Sequence, residues 1–205
     1  MTNDTGHRTL GGRARFEPEP IKGSRHIGTA APVASEDEAR GFVDDVRREM
    51  PKATHHAFAW RLSPDGTEQR CSDDGEPGGT AGRPILRQLE AFDLLDACVV
   101  VTRFFGGVKL GAGGLARAYS GAAQAVLEHA EIVDVIPHVT LEITVGYAEE
   151  QLVRQALARH GVVDFDVGHA ADVVFTASVP APAREALEDD LRERSNGRAR
   201  VRGPE

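Results

Sequence analysis

The residues of this sequence best suited to chemistry lie in two glycine-rich runs. The first is Asp73-Asp74-Gly75-Glu76-Pro77-Gly78-Gly79-Thr80-Ala81-Gly82-Arg83-Pro84, and the second is Thr102-Arg103-Phe104-Phe105-Gly106-Gly107-Val108-Lys109-Leu110-Gly111-Ala112-Gly113-Gly114-Leu115. Each stands just ahead of a segment with helical periodicity. Glycines such as Gly106, Gly107, Gly111, Gly113 and Gly114 permit close backbone approach there, and successive N–H groups at a helix N-terminus can hold an anion. Arg83, Arg103, Lys109 and Arg117 add formal positive charge, and no acidic residue occurs between Val99 and Leu127. The second run is therefore a local cationic island, with one structural alternative for Arg103: a buried partner of Asp74 or Glu76 that links the two runs, so that its removal would strand a carboxylate. The competing reading is packing, since many glycine-rich turns exist only because neighbouring elements come close. Neither run ends in the lysine and hydroxyl of a phosphate-binding loop, and neither fits the dinucleotide fingerprint.

Asp73, Asp74 and Glu76, with Thr80 nearby, have the hard oxygen donors of a divalent-cation site or of acid–base work. Carboxylates in such a turn more often cap helices and brace loops, so no metal and no cofactor is expected. His55 and His56 are neighbours on a strand and must point to opposite faces. His56 shares the Phe58 and Trp60 face and reads as a core histidine, which leaves His55 as the functional candidate. Cys71 lacks a histidine placed to activate it, and no serine elbow is present. No residue is assigned a catalytic role.

The elements that must position these groups can be read from periodicity. Ser35 and Glu38 form a capping-box pair ahead of Ala39, Phe42, Val43 and Val46, and Pro51 closes that helix. Thr54 to Leu62 alternates as a strand, followed by a Ser63-Pro64-Asp65-Gly66 turn into a second strand near Cys71. Pro84 opens a helix with Ile85, Leu86, Leu89 and Phe92 on one side. Ala97 to Val101 is continuously apolar and suits a strand buried on both faces. Leu115, Ala118, Tyr119, Ala122 and Val126 make one helical stripe.

The style changes between Val133 and Pro137. Thereafter His138 to Val145 alternates, a helix runs from about Glu149 to His160, and two short strands, a helix and a last strand follow. That β-α-β-β-α-β order is that of a small ferredoxin-like unit. Three segments result: a flexible lead-in over 1–15, an N-terminal domain over 16–134 and a C-terminal domain over 135–205.

The bulk numbers bound the function. The chain has 205 residues with a formal net charge of −8, so a polyanion is attracted only by a local patch. Two cysteines, Cys71 and Cys98, fit a reducing compartment better than a disulfide-held secreted scaffold. No run approaches the ~20 apolar residues of a membrane span, and the N-terminus has no signal-peptide core. A cytoplasmic protein with no membrane partner is expected.

Ser24-Arg25-His26-Ile27, His55-His56-Ala57-Phe58-Ala59-Trp60, Asp73 to Arg83, and Thr102 to Leu115 together resemble the YigZ/IMPACT family. The resemblance covers about Phe16 to Val133, and the C-terminal order is similar to the small domain that bacterial members carry. It implies an α+β protein whose N-terminal domain has the ribosomal-protein-like fold of elongation factor G domain IV, followed by a ferredoxin-like domain. It also implies a role near translation, since eukaryotic relatives regulate translation by binding proteins through an extra N-terminal domain that this sequence lacks. Where members usually carry tyrosine, Phe104 and Phe105 have no hydroxyl.

The leading expectation is a non-enzymatic binder of an anionic partner, RNA or a ribosomal component, held by Arg83, Arg103, Lys109, Arg117 and the glycine turns. The first alternative is an enzyme acting on a phosphorylated small molecule, with those turns as phosphate cradle and Asp74 or Glu76 as metal or base residue. The second is a regulator that binds only protein partners of the translation machinery.

Overall fold

The structure, a computed structural model that describes residues 6–62 and 66–203, is a mixed α+β protein. In chain order its elements are β1 (His7–Leu10), β2 (Ala14–Phe16), β3 (Arg25–Pro32), α1 (Glu36–Glu49), β4 (His55–Arg61), β5 (Gln69–Ser72), α2 (Gly82–Ala91), β6 (Ala97–Phe104), α3 (Ala112–His129) and β7 (Ile132–Val135). There follow β8 (His138–Val145), α4 (Glu150–Arg159), β9 (Phe165–His169), β10 (Val173–Pro180), α5 (Arg184–Arg194) and β11 (Arg200–Arg202). The chain divides into two units, one of which is His7–Val135 and the other of which takes in Ile136 onward.

In the first unit an antiparallel sheet of order β2-β3-β6-β4-β5 is covered on both faces. β6 lies at its centre because its residues are apolar on both sides. Val99 and Val101 meet Ala57 and Ala59 of β4, Ile85 and Leu89 of α2, and Tyr119, Ala122 and Val126 of α3. Cys98 and Val100 meet Trp60 together with Ala39, Val43 and Val46 of α1. Alanines on the α2–α3 side let those helices lie close, and burial of these side chains is the main source of stability. α1 starts where the sequence predicts: Ser35 Oγ accepts from the Glu38 N–H at 3.2 Å, and Glu38 accepts in turn from the Ala34 N–H at 2.8 Å. Of the turn expected at Ser63-Pro64-Asp65-Gly66, the first three residues lie outside the described residues.

The lead-in expected to be flexible through residue 15 is corrected by the structure over 7–15. β1 pairs antiparallel with β7, Leu10 opposite Ile132, and β2 pairs with β3. Thr9 and Leu10 are buried, and the Thr9 hydroxyl donates to the Asp96 carbonyl at 2.9 Å. A four-residue strand is too short to display a period, and its partner lies at the far end of the unit, so local patterning carries no sign of it. The same pairing makes a strand of Ile132–Val135, part of which reads from sequence only as a change of style.

In the second unit β8, α4, β9, β10, α5 and β11 build an antiparallel sheet of order β11-β8-β10-β9. Leu141, Ile143 and Val145 alternate inward with Phe175, Ala177 and Val179 of β10. α4 and α5 cover that face through Val153, Leu157, Leu187 and Leu191. The opposite face carries the exposed residues Thr140, Glu142 and Thr176, as expected for an antiparallel sheet with one wet side.

Candidate functional site

The loop between β5 and α2 is built around carboxylates. Asp73 accepts from the backbone N–H groups of Gly79 at 2.7 Å and of Ala81 and Gly82 at 2.9 Å. It thus satisfies donors at the start of α2, which has no side-chain cap of its own. Burial works against the Asp73 charge, but these three donors outweigh it and hold its pKa below the usual carboxylate range. Asp74 sits at φ 46°. Its carboxylate accepts from Arg47 at 2.8 Å and from the His56 N–H at 2.6 Å, and its carbonyl lies 2.8 Å from His55 Nδ1. Since a carbonyl can only accept, that contact puts the proton on Nδ1 and leaves Nε2 free to act. The Thr80 hydroxyl donates to the Pro77 carbonyl at 2.7 Å. Asp73 and Thr80 brace the loop, whereas Asp74 orients His55, whose other ring nitrogen faces Glu76. Among the described residues no cluster of three or more His, Cys, Asp or Glu side chains is placed to hold a metal.

Glu76 is turned inward by that loop. Its Oε1 accepts from Arg103 Nη1 at 2.6 Å and from the Tyr119 hydroxyl at 2.7 Å, and lies 3.8 Å from His55 Nε2. Both members of the ion pair are nearly sealed, with side chains 4 % and 6 % exposed. Arg103 reaches Ser24 Oγ at 3.4 Å and stands over the Phe105 ring at 5.4 Å. Ser24 Oγ also accepts from the Gly106 N–H at 3.1 Å. His26 meets the Tyr119 ring edge-on at 5.3 Å. Burial, and then the Arg103 charge, lower its pKa to about 4 against the opposing pull of Glu76 and Ser24. Burial first, and the bond to Glu76 second, push the Tyr119 hydroxyl's pKa up.

This network decides between the two sequence readings of Arg103. It is not a solvent-reaching cation of the island but a buried partner of Glu76, a carboxylate 27 residues away, and it links the two glycine-rich runs. Alternation on β6 agrees, because Arg103 shares the inward face of Val99 and Val101.

Above the network lies a pocket of about 430 Å³, lined by Thr54, His55, Glu76, Pro77, Arg103, Phe105, Lys109, Leu110, Gly111, Ala112 and Leu115. α3 begins at its edge. Gly111 is the helix N-cap at φ 72° and supplies no capping side chain, and among the described residues no side chain accepts from the N–H groups of the first turn as Asp73 does at α2. Lys109, Arg117 and Arg83 are exposed, and none forms an ion pair with a described residue. The glycines serve different ends. A Cβ on Gly106 would stand 1.9 Å from the Gly23 carbonyl carbon, so Gly106 is required by packing. Gly107 has φ 89°. Gly113 and Gly114 lie in the first turn of α3, and the nearest atom to a Cβ on Gly113 would be 3.6 Å away.

Of the sequence-predicted candidates, the pocket thus gathers His55, Glu76, Arg103, Lys109 and Gly111. It does not take in Arg83, Asp73, Asp74, Thr80 or Arg117. Phe105, Leu110, Pro77 and Thr54 escaped the reading of the residues. Phe105 had a usable signal, a large apolar side chain set in a glycine-rich turn, and it is 48 % exposed.

A buried carboxylate–guanidinium–phenol network, under a mostly apolar pocket at a helix N-terminus, gives this two-unit α+β protein a ligand-sized site. Residues 22–127 match the model of the Impact N-terminal domain, and residues 143–198 match a domain of unknown function, DUF1949. The chain belongs to the IMPACT family. It is 32 % identical to the IMPACT family member YvyE of Bacillus subtilis, over 89 % of this chain and 84 % of that one. It is 45 % identical to the IMPACT family member YigZ of Escherichia coli, over 53 % of this chain and 54 % of that one. A solved structure titled as that of a hypothetical protein is similar over 98 % of both chains, with a TM-score of 0.66 and 29 % identity.

Proposed function

We propose that this protein binds an anionic partner, RNA or a ribosomal component, at the mouth of the Phe105–Lys109 pocket, and that it acts in the regulation of translation without catalysing a reaction. One observation carries the proposal: Lys109, with no ion-pair partner among the described residues, and the start of α3, whose N-cap glycine has no side chain, line the same pocket. Together they offer a charged side chain and oriented N–H donors to a phosphate. Arg117, one turn into α3, and Arg83, in the first turn of α2, add longer-range attraction. Arg103 contributes indirectly by fixing Glu76 and backing the Phe105 ring, whose exposed surface offers a stacking face for a base. Phosphate contact explains how a chain of net charge −8 would still meet a polyanion.

The finer fold assignments belong to the same reading. The order β11-β8-β10-β9 supports a ferredoxin-like class for the second unit. The antiparallel sheet with helices on both faces is offered as the elongation factor G domain IV type. A translation-factor likeness raises the expectation of an RNA partner, although fold alone does not determine function. No helix among the described residues is long and apolar enough to cross a membrane, and we place the protein in the cytoplasm.

The test is a titration of a fluorescent single-stranded RNA across a salt series, with the native chain and with Lys109→Gln/Arg117→Gln. Each phosphate contact removed should flatten the log–log salt slope by roughly 0.7. Unchanged affinity and slope in the double variant overturn the proposal. A second reading, an enzyme acting on a phosphorylated small molecule, draws on His55, whose Nε2 borders a pocket of small-molecule size. It requires a phosphorylated metabolite to displace RNA and to be turned over by the native chain but not by His55→Ala.

A further inference from the structure

The two oxygens of Glu76 are not equivalent. Oε1 is fully engaged by Arg103 and Tyr119. Oε2 makes no hydrogen bond with any described residue, yet it is not among the sealed unpartnered atoms of the interior. Glu76 itself lines the pocket. A carboxylate oxygen can only accept, so the pocket floor calls for a ligand hydroxyl or N–H, while Lys109 and the start of α3 call for negative charge at the mouth. Leaving such an acceptor unmatched when a ligand displaces its water is unfavourable.

We infer that Glu76 Oε2 accepts a hydrogen bond from a ribose 2′-hydroxyl, so that this pocket selects RNA over DNA. The inference rests on the proposed RNA reading and adds what the pocket recognises. A ribonucleotide joins the two required features within one unit: a phosphate beside a sugar hydroxyl that DNA lacks. The base is then left for the exposed ring of Phe105, with Pro77, Leu110 and Leu115 supplying apolar wall. Arg103 and Tyr119 act as positioning residues, because by holding Oε1 they fix the direction in which Oε2 points.

The experiment compares three single-stranded oligonucleotides of one sequence, with 2′-hydroxyl, 2′-deoxy and 2′-O-methyl sugars, by fluorescence polarisation with the full chain. The ribo form is expected to bind at least about 10-fold more tightly than the other two, with the same salt slope for all, since one charge-assisted hydrogen bond is at stake. Equal affinities with a steep common slope overturn the Glu76 assignment while leaving the anionic-partner reading standing. Absence of binding by all three overturns both. Glu76→Gln and Glu76→Asp, each checked by thermal melting, then locate the discrimination. The aspartate keeps a charge opposite Arg103 while withdrawing it from the pocket. In whichever variant folds, the ribo-to-deoxy ratio should fall toward one, and a ratio unchanged from the native chain overturns the assignment to Glu76.

Discussion

Arg103 brings a guanidinium into the interior, and Glu76 and Ser24 are the partners that make this tolerable. Removing one member of such a pair strands the other. Arg103→Gln should therefore destabilise the protein by about 3–5 kcal/mol in urea titration, whereas Lys109→Gln, at an exposed site, should stay within about 0.5 kcal/mol. Equal stability of the two variants would remove the structural role given to Arg103. A second residue-scale prediction concerns pH. His26 is 2 % exposed and its folded-state pKa is lowered to about 4 from the ordinary 6.5. The unfolded chain takes up this proton first as pH falls, so the contribution of His26 is fully present above about 6.5 and is lost between there and about 4. His26→Phe should flatten the stability-versus-pH curve across that window. A parallel curve would show that another group titrates there.

At the scale of elements, the glycine-rich turns separate into packing and conformational sites. Gly106→Ala drives a Cβ into the Gly23 backbone, so β6 and the loop before β3 must part, and a loss of more than about 3 kcal/mol is expected. Gly113→Ala, inside the first turn of α3 with its nearest foreign atom at 3.6 Å, should instead stabilise by roughly 0.5–1 kcal/mol through helix propensity. Melting curves of the two variants should shift in opposite directions. α2 depends on Asp73 in a comparable way. Asp73→Ala leaves three N–H groups without their acceptor and should lower stability by about 2 kcal/mol. It should also release the loop that points Glu76 inward.

At the scale of the molecule, β1 and β7 bring the ends of the first unit together. We propose that 7–135 folds alone, with a single cooperative transition by circular dichroism. A fragment starting at residue 11 should be less stable, because Leu10 leaves the core and β7 loses its strand partner β1. A fragment 7–135 that shows no cooperative melt would contradict that independence.

Sequence by itself was enough for the regular elements whose signals are local. The Ser35–Glu38 capping box, the two-sided apolar run at Ala97, the Tyr119 stripe and the alternation from His138 to Val145 are each written within a few residues, because helix and strand periods repeat over that span. The resemblance carried by the two glycine runs likewise led to the family. Tertiary structure alone decided which polar groups meet. Glu76, Arg103 and Tyr119 come from a loop, a strand and a helix, Glu76 lying 27 and 43 residues from its two partners, and no local pattern specifies such a pairing. It also decided between the surface and the buried reading of Arg103, and gave the lead-in at His7 a strand partner. In both cases the deciding interaction is made with residues distant in sequence, where the burial of one group depends on the charge or hydrogen-bonding edge of another.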